Sequence, residues 1–359
     1  MTRVWDIPVH DSTRVRDVRV AAEAACAEAN LGAPRTAAAA LVATELATNL
    51  LKHADGGRMV INLVEEPDTT NEAADRAVQI VSVDHGPGIG DVAEAIRDGR
   101  TTAASSLGAG LGTCLRVSDD FDLHSRRGRG TVAVARVGAL PAAPHAPSRA
   151  PAGPRVGGVN LALAGAEHSG DAFGWIRCGA LLTLVLADGL GHGVPAARAS
   201  SAALDELRRL AALPPADILR RLHERLRHTR GAAVAVAQLD TGTGRLHFAG
   251  VGNVGARLRT PDGWQPLISQ PGIVGARFPA SVPLQQAPWT ADSLLVLHSD
   301  GLPSRWTPPG DPGLPAHDPA VVAAVVLRDA SSAASPPRDD TSVAVLCPDR
   351  RTDAHDRLP

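Results

Sequence analysis

Between Gly138 and Pro154 the chain reads GALPAAPHAPSRAPAGP, a run of Ala, Pro, Gly and small polar residues. Proline at that density removes backbone donors and fixes φ, so no helix or central strand passes through it and the segment reads as a semi-extended linker. The segment is taken as a domain boundary, and two units are expected, residues 1–137 and 156–348, joined by 138–155 and followed by a charged tail, 349–359, without apolar pattern. With 359 residues, each half is long enough to bury its own core. A linker of this composition transmits little structure, so each unit is expected to work on its own.

The formal net charge is −2, with 36 Lys and Arg against 38 Asp and Glu, so nothing recommends a nucleic acid or an anionic membrane as partner. The start of the chain, MTRVWDIPVHDSTRVRD, has no apolar core bounded by a cleavage site. No stretch approaches the roughly 18 apolar residues that span a bilayer, and a cytoplasmic protein is expected. Cys26, Cys114, Cys178 and Cys347 show no CxxC spacing and read as reduced structural thiols.

In the first unit, Thr13 to Asn30 and Pro34 to His53 carry apolar residues at helical spacing, while RMVINLVEE, AVQIVSVDHG and TVAVARV are rich in Val and Ile. The order predicts an α+β sandwich, with helices layered on one face of an antiparallel sheet. The second helix places Glu45, Asn49 and His53 four residues apart, hence on one face of an otherwise apolar run. Burying unpartnered polar groups costs a few kcal/mol, so the column is either a ligand site or a solvated stripe. Directly after the next strand candidate comes DHGPGIG, with Asp84, Gly86, Gly88 and Gly90; a carboxylate followed by glycines suits a base whose amino group donates to the acid, and equally an ordinary turn. Gly108, Gly110 and Gly112 then run into a helical stretch, where free amides could hold phosphates, although the pattern is no P-loop. GRGT, ending in Thr131, precedes the last strand.

These four pieces, in this order, resemble the nucleotide-binding fold of the GHKL ATPases, most closely the anti-sigma-factor serine kinases. The resemblance covers residues 10 to 137 and implies an α/β sandwich with helices on one face of a mixed sheet. It implies that Asn49 ligates the Mg²⁺ bridging the ATP phosphates and that Glu45 is the catalytic general base. It further gives ATP contacts to Asp84, Gly86, Gly88, Gly108, Gly110, Gly112 and Thr131. His53 is either a packed neighbour or a participant. No histidine lies in a paired-helix segment ahead of this unit, so the expected acceptor is a serine or threonine on another protein.

Beyond the linker the strand candidates are RVGGVNLALAG, GALLTLVLADG, GAAVAVAQLD, RLHFAGVGN, SLLVLHSDG and DDTSVAVLC, with helices over 194–213 and 214–230. Mostly β with two long helices predicts a β-sandwich flanked by helices. Asp188, Asp300, Asp339 and Asp340 each interrupt an apolar run beside Gly or Thr, and Asp171 lies in HSGDAFGW. Carboxylates at neighbouring strand ends suit a hard divalent cation, whereas each D-G taken singly suits a hairpin turn. ADGLGHG, SDGL and DDTS together resemble the metal-dependent (PPM) serine/threonine phosphatases, in the bacterial branch of the sporulation stage II and stressosome feedback phosphatases. The resemblance implies that Asp171, Asp188, the Gly189 carbonyl, Asp300 and Asp339 surround two Mg²⁺ or Mn²⁺ ions, with Asp340 as the alternative last ligand. Many relatives carry a second acid where this chain has Gly174. His192 suits phosphate steering or a turn, and Ala249 to Asn253 suits substrate contact.

Together the two resemblances imply a kinase and an opposing phosphatase acting on a STAS-type antagonist or stressosome protein in a pathway that controls a sigma factor. The rival expectation is a phosphatase regulated by a non-catalytic ATP-binding or partner-binding unit.

Overall fold

A computed structural model of the chain describes residues 3–66, 75–96, 110–138, 153–163, 166–331 and 339–349. Gly108, most of the linker and the end of the tail lie outside the described residues. The first unit contains β1 (Val4–Val9), α1 (Thr13–Glu28), α2 (Ala33–His53), β2 (Gly57–Glu66), β3 (Asp75–Val83), α3 (Val92–Ile96), α4 (Gly110–Val117), β4 (Asp120–Arg126) and β5 (Gly130–Gly138). Its sheet runs β1-β2-β3-β5-β4, and every pairing is antiparallel. The strand pattern predicted this; the mixed sheet implied by the family resemblance is corrected.

The second unit contains β6 (Arg155–Leu161), β7 (Asp171–Cys178), β8 (Leu181–Gly189), α5 (Val194–Leu210), α6 (Pro215–Leu226), β9 (Ala232–Asp240), β10 (Arg245–Val251), β11 (Gly255–Thr260), β12 (Gly263–Leu267), β13 (Gln285–Pro288), β14 (Leu294–His298), α7 (Pro319–Ala330) and β15 (Thr341–Cys347). Two antiparallel sheets, β13-β10-β9-β8-β7 and β12-β11-β14-β15-β6, face each other across Leu184, Leu186, Phe248, Leu258, Leu295 and Leu297. α5 and α6 cover the outer face of the first of these sheets through Leu207, Ile218, Leu219 and Leu222.

The alternation in β2, β3 and β5 explains how the two units meet. Met59, Ile61, Ile80, Ala133 and Ala135 point toward α1 and α2, where they pack with Val18, Val42, Leu46 and Leu50. The intervening Val60, Val81, Val132 and Val134 are just as apolar, so the opposite face of the sheet must also be covered. α7 and β6 cover it: these valines share one core with Val159, Leu161, Val322 and Val326. Buried polar side chains complete the joint. Asn62 Nδ2 donates to the Asn160 carbonyl at 2.9 Å, Asn160 N–H returns to Asn62 Oδ1 at 3.2 Å, and Gln79 Nε2 donates to the Gly158 carbonyl at 2.9 Å. β6 is an edge strand, and these side chains satisfy backbone groups that an edge would leave unpaired. The expectation of two mechanically independent units is thereby overturned. The linker connects them in sequence, but a common core fixes them in space.

Candidate functional site

The polar column of α2 converges on the first turn of α4. A Cβ placed on Gly110 would lie 3.2 Å from Glu45 Oε2 and 3.6 Å from both amide atoms of Asn49. Both side chains are half-buried, His53 is exposed at the end of the helix, and Gly112 is buried within α4. Burial first, then the Glu45 charge, pushes the Cys114 thiol up to about 12, so that cysteine is inert packing.

Asp84 ends β3, and its Oδ1 accepts the Gly86 N–H at 2.8 Å and the Thr131 N–H at 3.0 Å. Burial raises its carboxyl above the ordinary carboxylate range, against those two bonds and the Arg328 charge. With Oδ1 committed to the backbone, Oδ2 is the oxygen available to a ligand amino group. Glycine is required around it. A Cβ at Gly86 would meet Ala54 at 2.7 Å, and one at Gly88, where φ is +72°, would meet the Arg126 carbonyl at 2.4 Å. Ser125 Oγ lies 2.8 Å from Thr131 Oγ1 and accepts the Ile89 N–H at 2.7 Å, tying β4 and β5 to the same loop.

The second cluster forms at one end of the sandwich. Asp171 and Asp188 face each other in the β7–β8 register. Asp171 is buried, and neither carboxylate oxygen meets a partner at ordinary hydrogen-bond geometry, although Ser299 and Asp188 lie beside it. Burial and then Asp188 hold its carboxyl well above the usual range. Burial, then Asp300 and Asp339, push Asp188 up to about 7. Asp300 accepts a bond from Asn253 Nδ2. Gly301 brings β14 against the start of β15, since a Cβ there would sit 2.2 Å from the Asp340 carbonyl oxygen. Gly189 is pressed on α5, where a Cβ would lie 2.1 Å from the Ala196 carbonyl oxygen.

Asp339 and Asp340 are separated by their partners. Asp340 is buried and accepts the N–H of Leu163 at 2.7 Å and of Gly170 at 2.8 Å, one per oxygen. Asp339 is exposed. Asp340 therefore staples the β6–β7 connection, whereas the Asp339 side chain accepts, among the described residues, only the N–H of Asp340, at 2.9 Å. Among the described residues no three His, Cys, Asp or Glu side chains close tightly enough to enclose an ion by themselves. The donor chemistry nonetheless fits a hard divalent cation: the acids are all-oxygen donors, and a buried Asp171 with two orphaned oxygens calls for positive charge.

Residues 9–137 match the histidine kinase-like ATPase domain, and residues 179–348 match stage II sporulation protein E. The chain is a fusion of these two domain families. Over 88 residues the chain is 35% identical to the serine/threonine-protein kinase RsbT of Bacillus subtilis (strain 168); the match covers 24% of this chain and 61% of that kinase, less than two thirds of its length. Similar solved structures include a chain of the bacterial stressosome, at 27% identity and TM-score 0.48 over 54% of this chain and 98% of that one. RsbX in complex with magnesium aligns at 21% identity and TM-score 0.47, over 56% of this chain and 98% of that one. The phosphatase domain of SpoIIE from Bacillus subtilis with a fragment of its regulatory domain aligns at 14% and 0.47, over 81% and 83%.

Two residues near the sites escape sequence reasoning. Asn253 was legible as the end of a tight connection suited to substrate contact, but its bond to Asp300 is tertiary and was not. Arg328, in the SpoIIE-type domain, reaches the ATPase-like domain; its one signal is a lone cation inside the apolar run VVAAVVLRDA. Among the described residues no helix is long and apolar enough to cross a membrane.

Proposed function

We propose that the chain is a bifunctional partner-switching regulator: residues 1–137 phosphorylate, and residues 156–348 dephosphorylate, a serine or threonine on a STAS-type antagonist or stressosome protein upstream of a sigma factor. The observation that supports this best is the coexistence of two polar clusters in one chain. Glu45 and Asn49 meet at Gly110, and an orphaned Asp171 faces Asp188 near Asp300 and Asp339.

In the ATPase-like site, Asp84 Oδ2 accepts from the adenine amino group, and the Gly110 and Gly112 amides at the start of α4 face the phosphates. Asn49 would hold Mg²⁺, which would supply positive charge to the phosphoryl oxygens. Glu45, one turn away, accepts the proton of the attacking hydroxyl. Simple nucleotide binding would need Asn49 and the glycines but no such base. ATP as phosphoryl donor places the reaction in the cytoplasm.

In the SpoIIE-type site, Asp171, Asp188, the Gly189 carbonyl, Asp300 and Asp339 would hold Mg²⁺ or Mn²⁺. Such ions supply the charge that makes water nucleophilic at neutral pH and stabilises the phosphoryl oxygens. Asn253 orients Asp300, and Asp340 keeps the Gly170 backbone in place beside Asp171.

The alternative is that the ATPase-like domain binds ATP and regulates the phosphatase without transferring phosphate. The shared core across β6 and α7 favours it, because that core gives a direct physical route between the two sites. Incubating the protein with γ-labelled ATP, Mg²⁺ and STAS-domain proteins separates the readings. Label on a STAS serine or threonine that is released once ATP is removed supports bifunctionality; ATP binding without any label supports the regulatory reading.

A further inference from the structure

α7 is buried along Pro319 to Arg328, and every side chain in that stretch is apolar except the last. Arg328 is 1% exposed. A guanidinium is costly to bury, so its partners say what it is for. Nε donates to Asp329 Oδ1 at 3.0 Å, within its own helix. Nη1 crosses to the other domain and donates to the Gly130 carbonyl at 3.3 Å, while the Arg328 carbonyl accepts from His85 Nε2 at 3.0 Å. These two contacts straddle Asp84. Gly130, with φ at +90°, lies so close that a Cβ would be 2.1 Å from the Asp84 carbonyl oxygen and 2.8 Å from its Oδ1. The next residue, Thr131, donates its N–H to that same Oδ1 and accepts the Asp84 N–H at 3.0 Å.

We propose that Arg328 of the SpoIIE-type domain is a positioning residue of the ATP site, which holds the Gly130 turn and thereby aims Asp84 at the adenine amino group. This rests on the reading of Asp84 as the adenine acceptor. The ATPase-like domain is then incomplete alone: its base selectivity depends on a side chain supplied from α7. The Arg328 charge also favours the ionised form of Asp84, the form that can accept both the Thr131 N–H and an amino hydrogen.

The test compares ATP with inosine triphosphate, which carries a carbonyl where adenine carries its amino group. In the full chain with Mg²⁺, wild type should prefer ATP. Arg328→Gln and Arg328→Met should lose ATP affinity by about tenfold or more, the scale of a hydrogen bond to a charged group, while inosine triphosphate affinity changes little and the preference collapses. Arg328→Lys should recover part of it. Equal weakening for both nucleotides means that Arg328 is interface packing and overturns the proposal, as does unchanged preference. Wild type that binds no ATP overturns the Asp84 reading itself, and the proposal with it. A measurement free of variants runs alongside: ATP should slow amide exchange over residues 325–331 of wild type more than inosine triphosphate does. Identical exchange with either nucleotide overturns the proposal even if the variants do not fold.

Discussion

Arg136 on β5 and Asp318 at the N-cap of α7 form a two-pronged ion pair between the domains, with Nη1 and Nη2 each 2.7 Å from a carboxylate oxygen. Asp318 also accepts the Ala320 N–H at 2.8 Å, so one carboxylate caps the helix and anchors it to the neighbouring sheet. Burial works to raise this carboxyl, and Arg136 overcomes that, leaving it below the ordinary value of 3.8. Its stabilisation is therefore complete above the unfolded value and lost as pH falls through the lower folded one. Arg136→Gln leaves Asp318 buried without its partner and should cost about 3–5 kcal/mol at pH 7. Denaturant unfolding should show that loss, and the gap to wild type should narrow in acid. An unchanged midpoint at pH 7 would remove the pair from the interface.

Asn49→Ala and Asp84→Asn should each weaken ATP binding measured by calorimetry. In the second variant an amide nitrogen can face the adenine amino group, donor against donor. Unchanged affinity in both would remove the nucleotide site from α2 and β3.

Glu45→Ala should keep its ATP affinity and transfer phosphate about a hundredfold more slowly, the scale of a lost general base. Single-turnover labelling checks this, and an equal rate would assign the proton to another group.

How much of this was legible depends on where the signal lay. α1, α2, β2, β3 and β5 announce themselves by period, and the Glu45–Asn49 column is a property of one helix. β1 carries Pro8 and Asp6 in only six residues; the edge of a sheet tolerates that proline, and its strand signal is weak. β4, DFDLHSR, is too polar to stand out and is the opposite edge. α7 hides because Val-rich PAVVAAVVL looks like a strand, although Asp318 followed by Pro319 is a helix-start signal. The valines on the second face of the first sheet were the missed clue to the interface. Asp339 and Asp340 are adjacent in sequence, and only the Leu163 and Gly170 amides tell them apart.

Asp171→Asn replaces a buried carboxyl, held well above its ordinary range by burial and Asp188, with a neutral amide. Without added metal the variant should melt higher than wild type, while phosphoprotein hydrolysis with Mg²⁺ or Mn²⁺ falls by orders of magnitude. Thermal melts with chelator, read together with hydrolysis rates, check both halves. A variant that melts lower and hydrolyses normally would make Asp171 a packing residue.

The opposition of the two domains is measured most directly by the steady level of phosphorylation on one STAS-domain substrate. Wild type, Asp188→Ala, Glu45→Ala and the double variant are followed in time with ATP, Mg²⁺ and Mn²⁺. Asp188→Ala should carry the substrate to a higher plateau than wild type, and both Glu45→Ala proteins should label it about a hundredfold more slowly. Equal plateaus for wild type and Asp188→Ala, with the kinase demonstrably active, would mean that the two domains do not act on the same phosphate.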